Sequence, residues 1–405
     1  MVTINSTDPE KSMPWATMFA GLSASMIGIG LARFAYTPLI PPLIHAGWFS
    51  ADNVIYLSAA NLAGYLAGAM VARRLGRLFG NVMVLKAMML LTALAFLACA
   101  FPLSVAWFFA WRLLSGVTGG IIMVLVASTL LPSVPASRRG FASGAIFFGV
   151  GVGIAASGTI VPALLHWGLS TTWEGLAAIS LALIVLSWRA WPADVVVSRA
   201  ETKESPAKPA PTGFGPSLLY VQYGLMAVGL VPAVVFLADF IARGRDLGAN
   251  TGALFWIVYG VGAMFGPLLY GQLADRVGSA KAARLLLAAQ IAALLLFASS
   301  AWLVAAAIAT WVIGTFPPGI VPLTLHKVHH MLPDDHGAQA AVWSRATVAF
   351  AAFQAIAGYG SSWLFAHSNG NYTLLFLVGA GALALALAME FLSPALKRLS
   401  RAKQA

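Results

Sequence analysis

AMVARRLGR at residues 69–77 and GQLADRVGS at residues 271–279 follow one pattern: a small residue, a charged residue four positions later, and then Arg-x-Gly. The two copies lie 202 residues apart in a chain of 405, and each joins two long apolar runs. Trp111 and Trp311 also correspond, at an offset of 200. The pattern therefore indicates a duplicated chain made of two similar halves.

The composition places this duplicated chain in a membrane. Charged residues make up 9% of the sequence and hydrophobic residues 60%, whereas about 25% of an ordinary soluble domain is charged. A helix needs about 20 apolar residues to cross the hydrocarbon core. Twelve such spans with short loops use nearly the whole chain, so we expect no soluble catalytic domain and no enzyme.

Hydrophobic runs bounded by turn or charge signals predict twelve transmembrane helices. They lie at 15–43, 52–72, 81–101, 104–131, 139–166, 172–191, 217–242, 250–272, 280–300, 302–325, 338–366 and 372–393. The polar, proline-containing stretch 192–216 falls at the midpoint and reads as a linker. We therefore predict an all-α membrane protein with an N-terminal six-helix bundle at 1–191, a cytoplasmic linker at 192–216 and a C-terminal six-helix bundle at 217–405.

The charges predict the orientation. The formal net charge is +11, and 17 of the 24 lysines and arginines fall in the segments that face inward if the N-terminus is cytoplasmic, at or near the ends of the spans. They are Lys11, Arg73, Arg74, Arg77, Arg138, Arg139, Arg199, Lys203, Lys208, Arg276, Lys281, Arg284, Lys327, Lys397, Arg398, Arg401 and Lys403. By the positive-inside rule both termini are cytoplasmic and the protein is multi-pass in the cell inner membrane. Such a distribution argues against nucleic-acid binding, and the lone Cys99 excludes disulfides.

Several motifs resemble those of the major facilitator superfamily. The run 271–278 resembles its loop signature, Arg112-Leu-Leu-Ser-Gly116-Val-Thr-Gly119 its span-four motif, and 149–158 its span-five exchanger motif. The runs 28–41 and 235–244 are similar to the YbfB/YjiJ-like branch. The resemblance implies the two-bundle, pseudo-symmetric major facilitator fold and a conformational latch, whose residues would be Gly271, Asp275, Arg276, Gly278, Arg74, Gly76 and Arg77. In the first copy Arg73 replaces the usual acid and Ala69 the first glycine.

Three charged residues within the spans are candidates for substrate binding or coupling, because an ionisable group at membrane depth is costly unless paired or hydrated. Arg112 has Val312 as its counterpart, so the charge does not repeat; the alternative is an arginine bonded to helix carbonyls. Arg33 is either functional or reaches toward the outer interface. Asp239 could bind a proton, pair with Arg33 as a gate, or serve Arg243 and Arg245.

Polar residues of the spans form a second set of candidates, although such residues also bond neighbouring helices. They are Tyr36, Asn61, Gln222, Tyr223, Tyr259, Thr315 and Gln354. Glu390 is expected to pair with Lys397 or Arg398. The histidines of 326–336 read as a solvated turn rather than a metal site, because no ligand spacing is distinctive.

These observations predict a proton-coupled secondary transporter that moves a small organic solute, such as an organic anion, by alternating access. The alternative is a proton-driven efflux exchanger for drugs or toxic metabolites; a non-transporting membrane sensor is a third reading. We expect no cofactor and no metal. The expected partners are a small-molecule substrate, protons and the lipid bilayer, and the protein is expected to be a monomer.

Overall fold

The computed structural model describes residues 14–193, 214–333 and 335–402. Within those ranges the chain forms twelve long helices and no strand. They are α1 Trp15–His45, α2 Ala51–Phe79, α3 Asn81–Cys99, α4 Val105–Leu130, α5 Arg139–Leu165, α6 Leu169–Ser187, α7 Phe214–Asp239, α8 Gly248–Val277, α9 Ser279–Ser299, α10 Leu303–Met331, α11 His336–His367 and α12 Tyr372–Ala402. Each predicted span corresponds to one helix.

Eleven of the twelve helices are long and apolar enough to cross a membrane, among the residues described. The exception is α2, whose last two turns carry Arg73, Arg74 and Arg77. Helix α2 continues through these arginines to Phe79, seven residues beyond the predicted end at residue 72. Most of the predicted linker, 194–213, lies outside the described residues, so the boundaries of the two halves stay a prediction.

Two helices are irregular where the candidate residues lie. In α1, a π-helical segment at Met26–Leu31 precedes Arg33, and a 3-10 turn at Thr37–Leu39 follows it. Pro38 and Pro41 cannot donate backbone hydrogen bonds, which favours this break. In α7, a π-helical turn at Phe240–Gly244 follows Asp239. Such irregular turns are frequent at functional sites because they redirect side chains and free backbone carbonyls.

The duplication predicted from sequence is present, but its register differs. Gly64 and Gly68 of α2 press against the backbone carbonyls of Leu113 and Val117 in α4. Gly262 and Gly266 of α8 press in the same way against the carbonyls of Trp311 and Thr315 in α10. Each residue of the first contact is 198 positions before its equivalent in the second contact. The offset of 202 predicted from the loop motifs was therefore wrong by about one helical turn, and the offset of 200 predicted from the two tryptophans by about half a turn.

The turns between equivalent helices support this correction. Helix α2 ends at Gly80 with φ +85°, and α8 ends at Gly278 with φ +81°. Both positions need the left-handed backbone that glycine adopts without strain. Gly76, which the sequence aligned with Gly278, lies inside α2. Arg112 therefore corresponds to Thr310 and not to Val312.

We call the end of the bundle that carries the Gly80 and Gly278 turns the signature side, and the other end the opposite side. The two halves pack along α5 with α8 and along α2 with α11. Gly151 of α5 lies against the backbone of Ala263, and Gly260 of α8 against the backbone of Ala155. These close approaches bring the middle of α1 near the second half.

Candidate functional site

Arg33 joins the two halves. Its Nη1 donates a hydrogen bond to Oε1 of Gln354 on α11, with a length of 3.0 Å. The guanidinium lies 5.5 Å from the Phe34 ring and 6.0 Å from the Tyr65 ring. It is close enough to Tyr259 of α8 to interact with it electrostatically. The structure thus brings together three predicted candidates, Arg33, Tyr259 and Gln354.

Buried donors without partners surround this contact. The hydroxyls of Tyr223 and Tyr259 and Nε1 of Trp256 have no hydrogen-bond partner within the described part of the chain. Tyr259 stacks on Trp256 with ring centroids 5.0 Å apart. Buried polar groups are nearly always bonded, so these donors are available to bond water or a ligand.

Arg112 lies beside Arg33 but faces into the first half. Its Nη1 donates to the carbonyl of Ala32 at 2.8 Å, and its guanidinium lies 4.2 Å from the Tyr36 ring. Asn61 donates to Ser115 Oγ at 2.9 Å and to the Arg112 carbonyl at 3.4 Å. Arg112 is only 3% exposed. Arg112 thus bonds one helix carbonyl and lies in a cluster with Tyr36 and Asn61, while its Nε has no hydrogen-bond partner within the described residues.

No carboxylate pairs with either arginine in the ranges that the structure describes. The ion pairs found there join Asp239 to Arg243, Asp275 to His326, and Glu390 to Lys327. Two positive charges near the middle of the bundle therefore lack a protein counter-ion. An unbalanced charge at this depth favours the binding of an anion.

Asp239 lies away from Arg33. Its carboxylate accepts hydrogen bonds from Arg243 at 2.5 and 2.6 Å and from the Tyr372 hydroxyl at 2.6 Å. All three groups belong to the second half, near the opposite side. The predicted gate between Asp239 and Arg33 is not formed in this structure.

Gln222 lies within the second half and not beside Arg33. It donates to Glu390 Oε1 at 2.8 Å and accepts from Lys327 Nζ at 2.9 Å. Lys327 also pairs directly with Glu390. Glu390 thus contacts Lys327, where the sequence predicted Lys397 or Arg398, whose side chains lie outside the described part. Thr315 likewise bonds within the second half, to Tyr270 and Gln290.

The predicted latch has a defined geometry in the second copy of the signature. Asp275 Oδ2 accepts the backbone N–H of Phe141 at 2.9 Å, at the start of α5. Gly271 lies against the Gly140 carbonyl, and Gly140 lies against the Asp275 carboxylate. A carboxylate is favoured there because the N-terminus of a helix carries partial positive charge. We call this contact between the two halves the Asp275 latch.

The remaining predicted latch residues do not make such a contact. Arg276 is exposed beside the Gly278 turn, and Arg74 and Arg77 are exposed at the end of α2. Gly76 lies against the side chain of Asn81. Arg73 stands near Arg345 of the second half with the same charge. The first copy therefore has no carboxylate equivalent to Asp275.

Several residues of the site were not predicted. They are Tyr65, Trp256, Trp343 and Phe350. Tyr65 lies one turn from Asn61 on α2, so helical spacing could have indicated it. Trp343 donates from Nε1 to the Met123 carbonyl at 3.2 Å, a second bond between the halves toward the signature side. Aromatic residues are common in membrane helices, so these aromatic positions could not be distinguished from the others in the sequence.

The sequence of the chain matches one protein family from within α1 to within α12. The match covers residues 25–391, and the family is described as an uncharacterised MFS-type transporter, YbfB. The chain belongs to this family. A curated relative of the YbfB-type chain is the "Inner membrane metabolite transport protein YdjE" of Escherichia coli strain K12, 23% identical over 177 residues. That match spans 42% of this chain and 37% of the relative, so well under half of YdjE is covered.

Solved structures share the fold of this YbfB-family chain. The proton:xylose symporter XylE, bound to 6-bromo-6-deoxy-D-glucose, superposes with a TM-score of 0.74 at 14% identity, covering 94% of this chain and 96% of XylE. An outward-facing bacterial homologue of the iron transporter ferroportin gives 0.69 at 14% identity, covering 93% and 98%. At these identities the likeness concerns the fold. Family and fold are those of secondary transporters and not of enzymes.

Proposed function

We propose that this YbfB-family transporter moves a small organic anion across the inner membrane by proton-coupled alternating access. The observation that carries the proposal is the Arg33–Gln354 bond between the halves, with unpartnered donors around it. A substrate that binds residues of both halves can favour one arrangement of the halves over the other. That property is what alternating access requires.

The charge of the site supports an anionic substrate. Arg33 has an amide and no carboxylate as its partner in the described residues. The hydroxyls of Tyr223 and Tyr259 are unpartnered within the described residues and are available as further donors. A guanidinium pairs with a carboxylate through two parallel hydrogen bonds that are stronger than its bond to a neutral amide. An entering carboxylate would therefore displace Gln354 from Arg33.

The aromatic walls support an apolar body on that anion. Tyr223 lies 4.6 Å from Phe350 and 6.0 Å from Trp343, measured between ring centroids. Trp256 and Tyr259 form a second wall. Ligand sites combine such apolar surfaces with a few polar groups that fix orientation. We therefore expect an amphipathic carboxylate rather than a sugar or a small inorganic anion.

The direction of the helices follows from the charge distribution. Placing both termini in the cytoplasm puts the signature side on the cytoplasmic face. The Asp275 latch and the Trp343–Met123 bond then hold that face closed. The ferroportin homologue with the same fold is outward-facing, and XylE is a proton symporter. The same fold thus serves proton symport in XylE and an outward-facing state in the ferroportin homologue, and we propose both properties for this chain.

The test is transport by purified protein in liposomes. A panel of carboxylates is first screened for thermal stabilisation of the protein, and the best binder is then offered with and without an imposed pH gradient. We expect accumulation that follows the gradient and is lost in Arg33→Gln. The matched control is Arg243→Gln, since Arg243 is an exposed arginine outside the site. Binding of neutral solutes alone, or equal loss in both variants, would refute the proposal.

Efflux remains the second candidate, and the glycines of α5 do not decide it. Gly149 lies against the Leu22 carbonyl and Gly153 against Gly30. Their role in packing α1 on α5 explains them without exchange. A deletion strain separates the two functions: failure to grow on the identified carboxylate indicates uptake, and sensitivity to it indicates export. A sensor would tolerate Arg33→Gln in both assays.

A further inference from the structure

The most buried carboxylate in the described part of the chain is not at the substrate site. Glu390 of α12 is 6% exposed and contacts Lys327 of α10, which is nearly as buried. Gln222 of α7 bonds both residues and also donates to the Ala386 carbonyl at 2.9 Å. We call these three side chains the charge triad. It joins three helices of the second half around one ion pair.

The energetics argue against a purely structural role. Removing two charges from water costs several kcal/mol per ion, and apolar residues of similar volume often give equal or greater stability. Ionisable residues inside membrane helices are for this reason functional candidates. The charge triad contacts no residue of the Arg33 site in the bonds described above. A function other than substrate binding is therefore needed.

The surroundings of the charge triad let its proton content change. From α9, Arg284 interacts electrostatically with Lys327, and its guanidinium lies 5.0 Å from the ring of Phe391. Lys327 therefore lies between one carboxylate partner and a second cation. When the Lys327 ammonium releases a proton to water, the neutral amine remains beside Glu390. When the amine takes up a proton, the ion pair with Glu390 forms again.

Helix α10 connects the charge triad to the Asp275 latch. His326 directly precedes Lys327, and its Nε2 lies 3.6 Å from Oδ1 of Asp275. Successive residues on a helix point about 100° apart, so α10 carries the charge triad on one face and the latch on an adjacent face. A rotation or shift of α10 that relieves one contact necessarily moves the other.

We propose that Lys327, held by Glu390 and Gln222, is the proton-binding site of the transport cycle and controls the Asp275 latch through α10. This inference rests on the proposed secondary transport and names its coupling residue. The protonated charge triad accompanies the closed signature side seen here. Loss of the proton from Lys327 frees α10 and opens that side.

Other ionisable groups near Lys327 compete as the origin of any pH response. On the same helix they are His326, His329 and His330, and His326 interacts with both of the others. From the neighbouring helices, Arg284 and Glu390 face Lys327, and Gln222 is its neutral partner on α7. On α11, Arg345 interacts with Tyr220 of α7. A histidine side chain in a model peptide has a lower pKa than a lysine, so variants must separate the contributions of the two residue types.

The test follows the opening of the signature side without any substrate. Cys99 is the only cysteine of the chain, so Cys99→Ala gives a background for single reporters. Ser128→Cys lies in a small cavity of about 30 Å³ between the halves, next to Arg139 and His329. Ser137→Cys is exposed on the same side and corrects for the intrinsic pH dependence of thiol labelling. The readout is the ratio of their labelling rates with N-ethylmaleimide.

We expect this ratio to rise about fivefold or more from about pH 6 to about pH 9, within the usual range of coupling between sites. The rise should be absent in Lys327→Met and present in Lys281→Met, an exposed lysine on α9. If Lys327→Met folds poorly, the double variant Lys327→Met with Glu390→Gln removes both charges of the ion pair. Its labelling ratio should also stay constant between these pH values.

A ratio that does not change in the native protein, or one that still rises in both Lys327 variants, overturns the proposal. A rise that disappears only in His326→Gln assigns the response to the latch histidine and also overturns it. Because no substrate enters the measurement, these outcomes are independent of the Arg33 transport test.

Discussion

The two arginines near mid-membrane differ in where their partners lie. Arg112 donates to a carbonyl of α1 within its own half and packs on Tyr36, with its Nε unpartnered among the described residues, whereas Arg33 bonds Gln354 across the interface. The sequence made both arginines candidates for substrate binding because both lie deep within predicted spans. It could not distinguish their hydrogen-bond partners, since those depend on which way each helix faces in the assembled bundle.

Arg33→Gln should weaken binding of the identified carboxylate by about thirtyfold or more, because a bond to a charged group contributes about 2 kcal/mol and each 1.4 kcal/mol is tenfold. Isothermal titration with the purified protein measures the change. Arg33→Lys should restore part of the affinity, as it keeps the charge and loses the planar fork. Unchanged affinity in Arg33→Gln would place the anion elsewhere.

Arg112→Gln should chiefly lower stability. It removes the partner of the Ala32 carbonyl, and an unsatisfied buried group costs about 1–3 kcal/mol. The thermal unfolding midpoint should fall by a few degrees, while Arg33→Gln should leave it near the native value. Thermal denaturation of the two variants side by side checks this. The reverse order of stabilities would show that Arg33 is the structural arginine.

At the scale of helices, glycine decides how closely the halves approach. Gly151 faces the backbone of Ala263 with no room for a side chain, whereas Gly358 of α11 has open space around it. Both lie within regular helices. The sequence showed both as small residues in apolar runs and gave no means of ranking them.

Gly151→Ala should therefore destabilise the protein and reduce transport, because α5 and α8 must separate to fit the methyl group. Gly358→Ala should be neutral or stabilising, since alanine is favoured over glycine in a helix by roughly 0.5–1 kcal/mol. Thermal midpoints and uptake rates of the pair provide the measurement. Equal effects at the two positions would contradict the close α5–α8 contact.

At the scale of the whole molecule, the charges of the loops and the contacts between halves point to one orientation. The arginines at the end of α2 and those near the Gly278 turn lie on the same side as the Asp275 latch. If this side is cytoplasmic, the closed face of the structure is the cytoplasmic one.

Reporter fusions measure that orientation directly. Fluorescent protein joined after residue 405 should fluoresce, and alkaline phosphatase inserted between α7 and α8 at residues 245–247 should be active, because it is active only outside the cytoplasm. Phosphatase inserted after residue 137 should be inactive and serves as the matched control. The opposite pattern would invert the membrane topology and place the latch on the outer face.

Hydropathy and charge along the chain were enough to predict a membrane protein of twelve helices, its duplication and two arginines at membrane depth. These properties are local, because a span is recognised by some twenty consecutive residues. Only the tertiary structure decided the repeat offset of 198 and the hydrogen bond between Arg33 and Gln354. It also showed that Gln222 bonds Lys327 and Glu390 and does not lie beside Arg33. Such pairings depend on the rotation and depth of helices far apart in the chain, and apolar surfaces that face lipid and protein look alike in sequence.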